Sequence, residues 1–148
     1  MPENSRTDSQ LTPAQLTASL AALVNGPYAD TSTAGAADLA AEAIRYLNYA
    51  APRGGITEPA TVATVAAGLA TAAYRMPQLL AALGGWLEAE AAAGRLADDH
   101  RRPPALQADR TRAAIRTASD QAGSLAAGLS AVHNLAATLH AAGPAPAA

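Results

Sequence analysis

The fold is decided by residues 105–142, ALQADRTRAAIRTASDQAGSLAAGLSAVHNLAATLHAA. From Ile115 the apolar positions run Ile115, Ala118, Ala122, Leu125, Leu129, Val132, Ala136 and Leu139, spaced alternately by three and four. That spacing keeps one stripe of a helix apolar. At 1.5 Å per residue such a helix is roughly 55 Å long, so it needs a partner of similar length.

The partner is read over about 58–93. Val62, Val65, Leu69, Ala72, Met76, Leu79, Leu83 and Trp86 repeat the same alternation, straight across Pro77. Proline removes a helical N–H and disfavours the helical region for its predecessor. Yet no turn residues flank Met76-Pro77, and a chain reversal there would lose the register. The spacing therefore predicts one helix kinked at Pro77, with two helices broken there as the competing reading. Thr57 can cap it, with Glu58 and Pro59 in its first turn, and Gly94 suits the position just past its end. Gly84-Gly85, at about 1 kcal/mol per residue relative to Ala, marks a close backbone approach or a weak point.

Upstream, Thr12, Pro13 and Gln15 form a capping box, with Leu11 and Leu16 as a hydrophobic staple. A helix of about 13–25 follows, buried through Leu16, Leu20, Leu23 and Val24 and stopped by Asn25-Gly26-Pro27. A second helix, about 33–50, is capped by Thr31, Ser32 or Thr33. Its apolar face holds Leu39, Ala40, Ala43, Ile44 and Leu47, and Pro52-Arg53-Gly54-Gly55 turns the chain. Residues 1–10 read as a disordered lead and 143–148 as a disordered tail. The expectation is all-α: an up-down bundle of four helical segments within one domain, 11–142, organised by the two long antiparallel helices.

Composition sharpens this picture. In 148 residues there are one Trp, four Tyr, no Phe and no Cys, and Ala supplies most of the hydrophobic half. Ala has the best helix propensity and allows helix axes to approach near the short end of the ~8–10 Å range. The favoured result is close helix packing rather than a wide core of large side chains. Every base is Arg, as in proteins from GC-rich bacterial genomes, and the formal charge is −2. Without Cys there is neither disulfide nor thiolate chemistry. The polar start MPENSRTDSQ is unlike a secretory signal, which makes a soluble, cytoplasmic chain the expectation, with no membrane involvement.

Several stretches could carry function. Between Glu58 and Glu88 the only charge is Arg75, but each uncharged run is too short and weakly apolar for the ~20 residues of a membrane span. So thin a wet face suggests burial on two sides. The expected seam Val62, Leu69, Met76 and Leu83 would face the C-terminal helix. The flanking stripe Ala66, Ala70, Ala73 and Gly84, with Leu80 and Leu87, would then meet the shorter helices or another subunit, a two-fold homodimer being the commonest closed solution. Tyr46, Tyr49, Tyr74 and Trp86 could line a pocket between helices. Arg101, Arg102, Arg110, Arg112 and Arg116 form a basic group, and residues 100–148 carry +3 against −3 for residues 1–50. Basic helices can bind phosphate backbones, but no aromatics interleave here, and Asp109 is spaced to pair with Arg112.

Catalysis finds less footing. His133 and His140 are about 10.5 Å apart along a helix, too far for one metal ion, and His100 beside two Asp is not by itself a site. Ser130 lies three before His133, but no carboxylate is placed to orient that imidazole. No phosphate loop of standard spacing occurs. These features favour a non-catalytic interaction or assembly module acting through a helix face, without catalytic, metal-binding or cofactor-binding residues and with no cofactor. A homodimer or another protein would be its partner. A small-molecule-binding regulatory bundle using the Tyr/Trp zone is the alternative, and nucleic-acid binding through the Arg group is third.

Overall fold

A computed structural model describes Gln15, Thr17, Ala18, Ala21, Val24, Gly26 and residues 28–141. Among these residues the chain is all-helical, without a strand. It divides between Arg53 and Gly54 into two compact units. The expected lead 1–10, the capping box at Thr12, most of the helix 13–25 and the tail 143–148 lie outside the described residues.

In the first unit the element described throughout is α1, Asp30–Ala50. It begins three residues before the expected start: the Thr33 backbone N–H and hydroxyl both donate to the Ala29 carbonyl, at 2.9 and 3.0 Å. Thr31, Ser32 and Thr33 therefore lie inside the first turn, and Ala29 stands at the cap position. A single 3₁₀ turn, Ala51–Arg53, ends the helix, where Arg53 donates to the Tyr49 carbonyl and stacks 5.1 Å over the Tyr49 ring. No residue of α1 is buried.

The second unit is a hairpin of two long helices, α2 (Pro59–Ala92) and α3 (Pro104–Ala136), packed against each other. At about 50 Å each, they match in length as the sequence requires. Helix α2 runs unbroken through Pro77. It ends in a Schellman motif: Gly94, at φ 68°, donates to Ala91, and Arg95 donates to Glu90. This satisfies two terminal carbonyls in a conformation that glycine adopts without penalty. The following loop is tied by Asp98, whose carboxylate accepts the backbone N–H of His100 at 2.8 Å and pairs with Arg102 at 2.9 Å. Arg101 takes the left-handed conformation within this turn.

Three polar or close contacts set the antiparallel register. Glu88 pairs with Arg112 at 2.8 Å near the loop. A Cβ on Gly84 would stand 3.5 Å from Ile115 Cδ1, and the Ala63 carbonyl meets His133 Nδ1 at 2.9 Å near the open end. The expected C-terminal helix 105–142 is corrected at its end: α3 stops at Ala136. With Ala63 level with His133 and α2 starting at Pro59, residues beyond Ala136 have no facing helix to pack on. Instead they turn, with Thr138 donating through Oγ1 to Leu135.

On α2 the seam differs by one position from the expected one, while on α3 the expected seam residues Ala122 and Ala136 are buried. The buried residues of α2 are Ala63, Ala66, Ala70, Ala73 and Gly84, and those of α3 are Ala108, Ala122, Ala126 and Ala136. Pro77, Leu80 and Leu87 continue the α2 stripe half-buried. So Ala66, Ala70, Ala73, Leu80, Gly84 and Leu87, expected to face other elements, form the contact between the two long helices. Val62, Leu69, Met76 and Leu83, expected in that contact, lie one residue earlier on the helix. Both stripes alternate by three and four, so spacing alone could not rank them. Two facing Ala/Gly stripes let the backbones come close, and dispersion is gained along the whole length.

Candidate interaction face

The Ala seam gives the hairpin two unlike faces. In antiparallel helices, the residues just after each seam position point to one side, and those just before it point to the other. The side after the seam is lined by small side chains, among them Ala67, Ala70, Ala126 and Ala127, with a few polar groups between them. Thr71 and Tyr74 of α2 join Gly123 and Ser130 of α3 along an open groove of about 510 Å³, and the Glu88–Arg112–Asp109 ion cluster extends it. Two of the hydroxyls here donate within their own helices: Thr71 to Ala67, and Ser130 to Ala126 at 2.8 Å.

The side before the seam is apolar. It carries Val62, Val65, Leu69, Ala72, Met76, Leu79, Leu83 and Trp86 from α2, with Leu125, Val132 and Leu135 from α3. No charged side chain interrupts this stripe of α2 between Glu58 and Glu90. Most of its large members are exposed, Leu79 by 55% and Trp86 by 60%. At the open end of the hairpin this face continues into a second groove of about 310 Å³, lined by Ile56, Pro59, Val62, Ala136 and Leu139 and rimmed by Glu58. Leu125 and Val132, read from the sequence as seam residues, belong to this face. Leu135 was not singled out, although it directly precedes the small residue Ala136, as Leu125 precedes Ala126.

The expected aromatic pocket is not assembled from the residues proposed for it. Tyr46 and Tyr49 stand exposed on α1 in the first unit. Tyr74 and Trp86 are twelve residues apart on α2, about 18 Å along the axis, and occupy opposite faces of the hairpin. Tyr74 lines the groove beside Thr71 and Ser130, and Trp86 crowns the other face.

The arginine group splits likewise. Arg102 is held by Asp98, and Arg112 is held by both Asp109 and Glu88. Hydrogen bonding by Arg102 lowers the Asp98 carboxyl below its ordinary range, and Arg95 does the same to Glu90. Among the described residues Arg101, Arg110 and Arg116 enter no ion pair.

His133 serves the seam. Because a carbonyl can only accept, its Nδ1 must carry the proton in the bond to Ala63. With Ser130 bonded to its own helix, the two do not form a nucleophile–base pair. Among the described residues no three His, Asp or Glu side chains converge as a metal site would require, and no helix is long and apolar enough to cross a membrane. No protein-family model, curated protein or solved structure matches the chain.

Proposed function

We propose that the chain is a non-catalytic helical interaction and assembly module, with a homodimer as its first assembled state. The observation that carries this reading is the uncharged face of the α2–α3 hairpin, where Met76, Leu79, Leu83 and Trp86 stand exposed together. Contiguous apolar surface beyond a few hundred Å² marks a contact site far more often than a solvated surface. The same reading keeps the four-segment up-down bundle expected from the sequence. A cytoplasmic setting goes with this role.

Mass by light scattering after size exclusion, at tens of micromolar protein, tests the reading. A dimer mass is expected, and a clean monomer across that range would overturn it. The small-molecule alternative draws support from the groove beside Tyr74, whose volume lies within the range of ligand pockets, ~300–1,000 Å³. It is an open trough in which Thr71 and Ser130 already donate to their own helices, which favours the assembly reading. Nucleic-acid binding would rest on Arg101, Arg110 and Arg116 alone.

A further inference from the structure

The apolar face of α2 has an internal symmetry. Its positions 62, 65, 69, 72, 76, 79, 83 and 86 are spaced three, four, three, four, three, four, three, which reads the same in both directions about residue 74. A two-fold axis crossing α2 at that level, perpendicular to the helix, therefore lays this stripe antiparallel on its own copy with every position opposed. Trp86 meets Val62, Leu83 meets Val65, Leu79 meets Leu69 and Met76 meets Ala72. In three of these four pairs the bulkier side chain of the C-terminal half meets a slimmer one of the N-terminal half. Large-against-small opposition is what interdigitated packing requires.

The ends agree with this placement. The groove lined by Ile56, Pro59, Val62, Ala136 and Leu139 lies at the Val62 level, where the symmetry delivers the exposed Trp86 of the other copy. A buried indole N–H needs an acceptor, and Glu58 rims the groove. Glu90, brought to the same end, already has its carboxylate bonded by Arg95 at 2.6 Å, so the Glu58 charge meets a neutralised pair. The size also fits. Met76, Leu79, Leu83, Trp86, Leu125 and Val132 are each about half exposed, together a contiguous apolar area of some few hundred Å² per copy. The half-buried residues add to this, and a standard interface takes about 800 Å² per partner.

We infer that the occupant of this face is a second copy of the chain, seated antiparallel by a two-fold axis level with residue 74, so that each Trp86 enters the other copy's groove at Val62 and Leu139. The inference rests on the assembly reading and adds its geometry. Trp86 is the only Trp, so its fluorescence reports this one contact in the unmodified full chain. Emission should shift to the blue as protein concentration rises, in step with the dimer fraction from light scattering. Leu139→Arg alters a residue beyond α3 that is 62% exposed, so helix content by circular dichroism should hold. The dimer dissociation constant should rise about tenfold or more. A dimer whose Trp emission is unshifted, or one insensitive to Leu139→Arg, would overturn this geometry and leave the assembly reading standing. A monomer mass at every concentration would overturn both. Blue emission unchanged by dilution in such a monomer would identify cover from within the same chain.

Discussion

Ala73 is 2% exposed, the lowest fraction among the buried residues of the hairpin, and its replacement by Leu tests the seam directly. Leu and Ala differ little in helix propensity, so the backbone term nearly cancels. Three added carbons must fit between helices whose facing residues near that level include Ala122 and Gly123. Forcing extra methylenes into a packed contact costs about 1–3 kcal/mol. For a chain of this size each kcal/mol moves Tm by about 2–4 °C, which predicts a Tm lower by about 2–12 °C. Ala82→Leu, on an exposed position of the same helix, makes the same change in propensity and should leave Tm within about 1 °C. Circular dichroism melts of the two variants at one fixed protein concentration make the comparison, since association itself shifts Tm. If Ala73→Leu melted with Ala82→Leu, Ala73 would not face α3 and the one-residue shift of the seam would be wrong.

Gly84→Ala should stabilise the hairpin by about 1 kcal/mol, because the added carbon makes ordinary contact with Ile115; a lower denaturant midpoint would show that the helices are closer there than described. Pro77→Ala restores a helical N–H at a half-buried seam position and should raise stability by up to ~3 kcal/mol, with a lowered Tm as the contrary result. Asp98 and Glu90 titrate below their ordinary ranges when folded, so the unfolded chain binds protons first as pH falls. Their contribution is complete above about pH 5 and is lost as pH drops through the lowered values; Asp98→Asn should flatten that acid limb in pH-dependent urea titrations. No salt-sensitive DNA complex is expected at physiological salt and micromolar protein, and Arg110→Ala with Arg112→Ala should change nothing. A complex whose salt slope falls by about two units in that variant would restore the basic group as a site.

The two long helices, their antiparallel pairing and the passage of α2 through Pro77 were legible because periodicity, Pro59 in the first turn and the Gly94 stop all agreed, although Glu58 rather than Thr57 stands at the cap position. What spacing could not decide was which of two adjacent stripes faces inward. Weighting by size favours Val62, Leu69, Met76 and Leu83, since larger side chains release more apolar area from water. The opposing fact is visible only in both helices at once. Ala63, Ala66, Ala70 and Ala73 find Ala122, Ala126 and Ala136 at matching levels, and two small stripes together allow a closeness that neither permits alone. The same shift moved the candidate face from Ala66, Ala70 and Ala73 to their larger neighbours. Tyr74 and Trp86 separated for the same reason, since a twelve-residue interval puts them on opposite sides of the true seam. The Asp98 turn was legible only as a connection, because its order comes from one carboxylate reaching backbone and guanidinium together.

The contacts of the hairpin grow steadily more distant in sequence from the loop outward. Glu88 and Arg112 close a segment of 24 residues, whereas Ala63 and His133 close one of 70. Loop closure becomes more costly by about 0.6 kcal/mol for each doubling, so the open end carries about 1 kcal/mol more of this penalty than the loop end. Folding should therefore start beside the Asp98 turn and zip toward Ala63, with amide exchange fastest at the N-terminal turns of α2 and the C-terminal turns of α3. The groove at Val62 and Leu139 lies at that last-formed end, which makes it the part of the surface that completes only after the rest of the hairpin is built.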